Sequence, residues 1–362
     1  MRPRLKWLSG RPGSRRTNSG LSLVELMVSV SIGMVIVAAL AVLFANNSRS
    51  RNETERAGRR FDNGRYALEV LSGDIQNAGY FAEFDPRQIA LPTANPDPCT
   101  SDSAGLAAAL GLHVQGTDDV ASNALSCLPD LKAETDLIVL RRSSGCANGE
   151  PDCTPLASGD IAFQASSCSN ATELGSGTVA NYFALSSSAA DLIKTKKNCT
   201  TEADVRRLLV RIYYIASSDK PGDGIPTLKR AELTGAGWRS VSLVQGIEDM
   251  QIEYGLDSNA NGTVAVYTPS PDTYQGCTAT TAPTCVQHWV SAVTVKVILL
   301  SRNLDRSADH VDTKTYVLGR NRDGVGGASG TDKRVGPLND SYKRSVFQEV
   351  IRFENVSGRN ST

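Results

Sequence analysis

Three groups of side chains in this sequence could carry chemistry: a lone carboxylate, eight cysteines and a loop rich in side-chain oxygens. Residues 21–48 form a predominantly apolar run that is long enough to cross a membrane, and the only ionisable side chain in it is that of Glu25. A charge at membrane depth costs about 2.5–3.5 kcal/mol on insertion scales, so a partner is expected wherever one persists. Two other interpretations are a tolerated carboxylate at the interface and a polar residue in a cleaved secretory signal. We expect Glu25 to pair with a positive charge during assembly.

The cysteines all follow the apolar run. An even number of cysteines in an exported chain predicts disulfides, because the periplasm is oxidising. The sequence has no C-x-x-C, which argues against zinc-ribbon and thioredoxin-like chemistry. Eight cysteines allow 105 connectivities, among which the sequence cannot choose. Local pairing is our expectation, first the two short loops and then the two longer ones: Cys277 with Cys285, Cys146 with Cys153, Cys99 with Cys127, and Cys168 with Cys199.

The oxygen-rich loop covers residues 257–262. Asp257, Asn259 and Asn261 alternate along the chain and Gly262 follows, as in the first half of a calcium-binding loop. The second half departs from that pattern, because Thr268 stands at the twelfth position, where a bidentate Glu belongs. The sequence therefore favours a plain turn between two strands, with a calcium site as the alternative.

Enzyme chemistry has little support in the sequence. The three histidines, His113, His288 and His310, have no metal-ligand spacing. Neither a G-x-S-x-G motif, a Walker A loop nor an H-E-x-x-H motif occurs. We predict a non-enzymatic protein without a cofactor, calcium being the one candidate ion.

The apolar run is long enough to cross a membrane, which takes about 20 residues. Residues 1–20 contain six basic and no acidic side chains, so the positive-inside rule places this leader in the cytoplasm and the C-terminus outside. Ala39-Leu40-Ala41 fits the weak pattern of a signal-peptidase site, but the apolar run is too long for a secretory signal. A cut between Gly20 and Leu21 would remove the leader and leave the helix in place.

Beyond the span, a periodic stripe predicts that the helix continues. The spacing alternates between 4 and 3 residues, which is one face of an α-helix, and Gly79 is the expected stop. The prediction is one helix over residues 21–79, with 21–45 in the membrane and 46–79 amphipathic and packed on protein. The stripe consists of Ala57, Phe61, Gly64, Leu68, Leu71, Ile75 and Ala78.

Residues 80–362 read as a β-rich head. Segments rich in β-branched and aromatic residues, bounded by turn residues, predict an antiparallel sheet. Residues 92–130 and 320–340 read as loops, and the head could form one large domain or two lobes. The predicted strands cover 135–141, 179–185, 208–216, 238–245, 251–256, 291–300, 314–318 and 346–353.

Charge argues against nucleic-acid binding. The chain has 38 basic and 38 acidic residues, and removal of the leader leaves 32 against 38, a formal charge of about −6. Sequence-independent binding to nucleic acid needs clustered Lys and Arg.

Residues 20–28, Gly-Leu-Ser-Leu-Val-Glu-Leu-Met-Val, resemble the signal of type IV pilins and type II secretion pseudopilins. In that family a prepilin peptidase cuts after the Gly and methylates the new N-terminus. The resemblance implies Gly20 before the cut, Leu21 as the methylated residue in place of the usual Phe, and Glu25 as the carboxylate that pairs with a neighbouring subunit's amine.

A narrower resemblance lies near the C-terminus. Residues 244–262 are similar to the GV-E-D-x-x-x-x-YG-x-D stretch of the PilW family of minor pilins, and 345–355 to its terminal strand. The resemblance implies an α+β, pilin-like fold and a subunit that primes or caps the fibre. Its expected partners are the prepilin peptidase, other minor and major pilins and the inner-membrane assembly platform. The head would face the periplasm and later the cell surface.

Two alternatives remain open. The same helix could build the short fibre of a type II secretion system, which would make the chain a pseudopilin. From a different class of protein, the chain could be a membrane-anchored periplasmic binding module that never polymerises.

Overall fold

The computed structural model describes Gly20 and residues 22–122, 124–277, 282–320 and 332–356. Leu21 therefore lies outside the described residues, as do four of the glycines in the predicted loop 320–340. The chain divides after Glu55 into two compact units, the second of which contains the end of the long helix together with the whole head.

The first helix, α1, covers Leu23–Gln76 and has 54 residues, which corresponds to about 81 Å at 1.5 Å per residue. The helix ends three residues before the predicted end at Gly79, whereas the predicted first residue, Leu21, lies outside the described residues. At the C-terminal end, Ala78 N–H donates to Ile75 O and Tyr80 N–H donates to Asn77 O, which tightens the chain into a turn. Gly79 then takes φ +77°, a conformation that favours glycine, and donates its N–H to Arg141 O at 2.9 Å.

The head begins with a seven-stranded antiparallel sheet. Strand β5 lies at its centre and pairs with β2, β3 and β6, while β1, β4 and β7 extend it. Its strands are β1 (Val114–Thr117), β2 (Leu137–Ser143), β3 (Ala162–Ala165), β4 (Phe183–Ser186), β5 (Val205–Ala216), β6 (Thr227–Thr234) and β7 (Gly237–Gln245).

Six more strands follow in the described ranges. They are β8 (Ile247–Leu256), β9 (Val266–Thr268), β10 (Ala292–Arg302), β11 (Tyr316–Arg320), β12 (Asp332–Val335) and β13 (Arg344–Arg352). A four-stranded antiparallel sheet has the order β13, β10, β8, β9, and β11 pairs with β12 as a separate hairpin. The shorter helices are α2 (Ser103–Ala109), α3 (Ala282–Val290) and five 3₁₀ turns at Pro86–Gln88, Leu174–Ser176, Val179–Asn181, Ala189–Asp191 and Pro271–Gly276.

Among the described residues, two large hydrophobic clusters hold the head together, and a third, small one joins Ile298 and Leu300 of β10 to Leu318 of β11. The largest one joins the second half of α1, through Leu71 and Ile75, to side chains of both sheets such as Tyr213 and Val297. The other large one covers the opposite face of the seven-stranded sheet and is centred on Phe163. The predicted stripe is buried from Gly64 to Ala78, whereas Phe61 remains 48% exposed.

The antiparallel β-rich head is confirmed, with three corrections to its details. Residues 179–185 begin as a 3₁₀ turn, and only the last part joins β4. The predicted loop 92–130 contains α2 and β1, and β12 lies within the predicted loop 320–340. Helix α2 is a short Ala- and Gly-rich segment without an apolar period, and the Asp102 carboxylate that accepts the Gly105 N–H at 2.8 Å fixes its start.

Candidate assembly site

The start of α1 contains Glu25, the residue expected to act in assembly, shortly after Gly20, the described one of the two residues expected to act in processing. Glu25 Oε2 accepts the Ser22 N–H at 3.0 Å, and Ser22 Oγ accepts the Val24 N–H at 3.4 Å. This reciprocal arrangement is a capping box, with Ser22 as the N-cap and Glu25 at the third helical position. The carboxylate of the single chain thus stabilises its own helix start, where the helix dipole also favours a negative charge. Gly20 is exposed, five residues before Glu25.

The apolar half of α1 has the composition and length of a membrane span. Its large apolar side chains between Leu23 and Phe44 are 51–77% exposed. The hydroxyl groups of Ser29 and Ser31 donate to the carbonyls of Glu25 and Met27 at 2.7 and 2.8 Å, so these polar groups are satisfied within the helix. Such a surface is suited to lipid or to other apolar helices.

Asp74 anchors the second half of α1 to the seven-stranded sheet. Its carboxylate accepts hydrogen bonds from the Arg211 guanidinium at 2.7 and 2.8 Å, from Arg142 at 3.0 Å and from the Tyr213 hydroxyl at 2.5 Å. Burial raises the pKa of Asp74, but Arg211, Tyr213 and Arg142 together outweigh it and lower that pKa below its usual value. The carboxylate is therefore ionised and tightly held, and it fixes the helix on the sheet.

Arg60 makes a second anchor, on the four-stranded sheet. Its guanidinium donates to Asn303 Oδ1 at 2.7 Å and to Ser345 Oγ at 3.1 Å, while its carbonyl accepts the Ser301 hydroxyl at 3.2 Å. One turn further along, the Phe347 ring packs against Gly64 so closely that a Cβ there would overlap it. Sequence reasoning placed Gly64 in the stripe and missed Arg60 and Asp74. Each of these two charged residues directly precedes a residue of the apolar stripe in the sequence. That position beside a buried face could have identified them as anchors.

The motif that resembles the PilW family lies on β8 and serves the packing of the head. Glu248 accepts hydrogen bonds from Arg344 at 2.5 and 3.2 Å, at the start of β13. Arg344 also pairs with Asp312 at 2.8 Å and Asp340 at 2.6 Å, and its hydrogen bonds lower the pKa of Asp340. Burial raises the pKa of the adjacent Asp249 to about 6, although Gln251 and Lys132 oppose this shift.

One group of three carboxylates could in principle hold a metal ion. Asp118, Asp119 and Asp136 lie where β1 ends and β2 begins, with one oxygen of each within 4.8 Å of the others. Asp136 already accepts the N–H groups of Asp119 at 2.9 Å and Ile252 at 2.7 Å, and Lys333 forms an ion pair with Asp119. Burial and then the charge of Asp118 raise the pKa of Asp136 well above its usual value. A lysine thus already supplies cationic charge to this group.

The candidate calcium loop forms a turn between β8 and β9. Asp257 is 3% exposed, and its two oxygens accept the N–H groups of Asn261 at 3.0 Å and Gly262 at 2.8 Å. Asn261 Oδ1 accepts the N–H and hydroxyl of Thr263, while Asn259 is exposed. The side-chain oxygens of Asp257 and Asn261 thus accept hydrogen bonds from within the loop, as expected for a plain turn between two strands.

The eight cysteines form four disulfides with the local pairing expected from the sequence. The Cα–Cα distances lie between 5.0 and 5.9 Å, which is ordinary disulfide geometry. The loops they close span 7, 8, 28 and 31 residues. The bonded pairs are Cys99–Cys127, Cys146–Cys153, Cys168–Cys199 and Cys277–Cys285.

Two of the three histidines, His113 and His288, serve packing and local hydrogen bonding. His113 is buried, with Nε2 at 2.9 Å from Ala292 O and its ring edge-on to Phe353. His288 lies 2.9 Å from Pro271 O. Within the described ranges, no histidine belongs to a group of potential metal ligands.

Two family models match this chain. The model of the type IV pilus-assembly protein W matches residues 212–355, which extend from within β5 to the residues just after β13. The model of the prokaryotic N-terminal methylation motif matches residues 15–41, which include Gly20, Leu21 and Glu25. Searches of curated proteins and of solved structures find no match.

Proposed function

We propose that this chain, which is a type IV pilus minor pilin of the PilW family, primes or caps the pilus fibre. The observation that carries the proposal is the joining of two modules on one polypeptide: a methylation motif at the start of α1 and a PilW head over 212–355. The exposed apolar half of α1 supports a membrane-anchored component that passes into a bundle of like helices.

The start of α1 supports a specific assembly step. Before cleavage, Glu25 accepts the Ser22 N–H of its own chain at 3.0 Å. Cleavage after Gly20 would free an amine at Leu21, and the amine of one subunit could then pair with Glu25 of the next at low dielectric. The prepilin peptidase and other pilins are therefore the proposed partners, together with the inner-membrane assembly platform, and the role is structural rather than enzymatic.

The size of the head supports a position at the fibre tip. A compact domain of about 280 residues has a radius of gyration of about 19 Å. Packed helices lie only about 8–10 Å apart, so such a head is much wider than the spacing of the helices in a bundle. At the tip of a fibre a large head does not clash with the head of a following subunit, and only a few copies are needed there.

Substitution of Glu25 tests the assembly step. Glu25→Ala removes both the cap and the charge, whereas Glu25→Gln keeps an oxygen that can accept the Ser22 N–H and removes only the charge. Both variants should still insert and be cleaved, because the cut lies several residues away. Both should accumulate in the membrane and be absent from sheared fibres, as measured by immunoblot. Glu55→Gln, an exposed carboxylate on the same helix, is the matched control.

The outcomes separate the alternatives. Wild-type chain present in sheared fibres at far fewer copies than the main subunit, and labelled at their ends by immunogold, supports a priming or capping minor pilin. Labelling along the whole fibre contradicts the tip position. Normal pili in a deletion strain that fails in protein secretion would instead identify a pseudopilin. Absence of the wild-type chain from every fibre would favour the anchored module.

A further inference from the structure

Strand β13 is an outer edge of the four-stranded sheet. It pairs with β10 over nine residues without a register shift. Asn303 N–H donates to Lys343 O and Phe353 N–H donates to Val293 O, so the odd-numbered residues of β13 direct their backbone groups toward β10. The backbone groups of Val346, Gln348 and Val350 therefore point away from the sheet. Within the described part of the chain, none of these groups bonds to another strand.

This edge lacks most devices by which proteins protect edge strands. Natural edges are short, bulged, covered, charged, or interrupted by proline, and of these devices β13 has the charged side chains of Glu349 and Arg352. Strand β13 is long and regular and contains no proline or glycine. Val346 and Val350 are 39% and 56% exposed on the face that turns away from α1. Such an edge is suited to accept a further strand.

A groove runs along the helix side of the same edge. Its volume is about 440 Å³, and it lies between Glu349 of β13 and the α1 face that includes Arg65, Leu68, Glu69 and Gly73. A Cβ at Gly73 would meet no atom within 4 Å, so the floor of the groove is open. A strand added to β13 would place alternate side chains in this groove.

The direction of α1 limits which strand can be added. Arg60 contacts Ser345, Gly64 lies at Phe347 and Ala78 O lies 3.4 Å from the Asn355 amide, so α1 and β13 run the same way. Two copies paired through β13 about a two-fold axis would have antiparallel helices. In a fibre whose heads all face the same way, the second halves of α1 are parallel, which excludes that pairing.

We propose that an extended segment from the head of a neighbouring, different pilin adds to β13 as a fifth strand of this sheet. The inference rests on the proposed function, because it needs a fibre in which heads meet. Side chains on the helix side of the added strand would include an apolar residue against Leu68 and a Lys or Arg against Glu69 and Glu349, the two carboxylates that outnumber the one arginine of the groove, Arg65. Main-chain hydrogen bonds would supply affinity and the groove would supply selectivity.

Amide hydrogen exchange at single-residue resolution tests the proposal on the full chain. In detergent, the amides of Phe347, Glu349 and Ile351 should be protected by β10, and those of Val346, Gln348 and Val350 should exchange fast. In sheared fibres, the second set should exchange at least about tenfold more slowly. Fast exchange of this set in fibres that contain the chain would overturn strand addition. Protection already present in concentrated chain alone would assign the edge to a second copy and overturn the proposed partner.

A matched pair of variants gives an independent test. Gln348→Pro removes an outward N–H that β10 does not use, a position where edge strands tolerate proline. Gln348→Thr keeps that N–H and is the control. We expect Gln348→Pro to retain the melting temperature of the control in detergent and to enter fibres at least about tenfold less. Equal incorporation of both folded variants would contradict the proposal, whereas absence of the wild-type chain from fibres would contradict the proposed function itself. If the proline variant does not fold, the exchange measurement decides.

Discussion

Replacing Asp74 by Ala should detach the second half of α1 from the head. The carboxylate is buried and accepts four hydrogen bonds of 2.5–3.0 Å from Arg211, Arg142 and Tyr213. Its loss leaves the buried Tyr213 hydroxyl without that acceptor and Arg142 without its carboxylate, whereas Arg211 keeps a second ion pair with Glu232 at 3.3 Å. Removing one partner of a buried ion pair costs about 3–5 kcal/mol. Because Glu232 retains part of the compensation, we expect a loss of about 3 kcal/mol in the free energy of unfolding.

Urea unfolding of the full chain in detergent, followed by tryptophan fluorescence, measures this change, because Trp289 is 1% exposed in the core that α1 helps to cover. Asp62→Ala is the control, because Asp62 is an exposed carboxylate on the same helix and should change the stability by less than about 0.5 kcal/mol. Equal midpoints for the two variants would refute the anchoring role of Asp74.

The pH dependence of the same pair gives a second check. The pKa of Asp74 is lowered in the folded state, so its contribution to stability is present above the unfolded pKa of about 3.9 and is lost as the pH falls through the folded pKa. The difference between wild type and Asp74→Ala should therefore be constant near neutral pH and shrink below about pH 4. A difference that stays constant down to pH 2 would show that the carboxylate acts through packing rather than charge.

Four further outcomes are expected. Burial raises the pKa of Asp249 to about 6, so its stabilising contribution is present below the unfolded pKa of about 3.9 and is lost as the pH rises to 6. The melting temperature of wild type should therefore fall between about pH 4 and pH 6, and Asp249→Asn should make that fall smaller. Mass spectrometry of unreduced, alkylated protein should find no free thiol, because all eight cysteines are paired. Each disulfide should add about 2–4 kcal/mol to the stability. Eight alkylated cysteines would contradict the pairing. N-terminal sequencing of membrane-extracted chain should begin at Leu21, and mass spectrometry should find that residue methylated. A start at Met1 would contradict processing after Gly20. If the loop at Asp257 binds calcium, millimolar calcium should raise the melting temperature of wild type and not that of Asp257→Ala. No shift in wild type would contradict calcium binding and favour the plain turn.

The sequence was sufficient wherever the determining interactions are local along the chain. The apolar run lies within the first 48 residues, and its composition and length alone predicted the apolar first part of α1. The four disulfides join cysteines 7–31 residues apart, which made neighbour pairing the natural expectation. The strands with β-branched and aromatic runs, such as β5 and β10, were predicted for the same reason.

Tertiary structure decided what depends on residues far apart in sequence. Asp74 meets Arg142 and Arg211 across 68 and 137 positions, and Arg60 meets Asn303 across 243, so no window of sequence contains either anchor. The short strands β1 and β3 carry little propensity of their own and form because β2 and β5 offer them unpaired edges. Likewise, the pattern of β13 predicts a strand, but only the order of strands in the sheet places it at an open edge beside α1, because strand order is set by packing rather than by local preference.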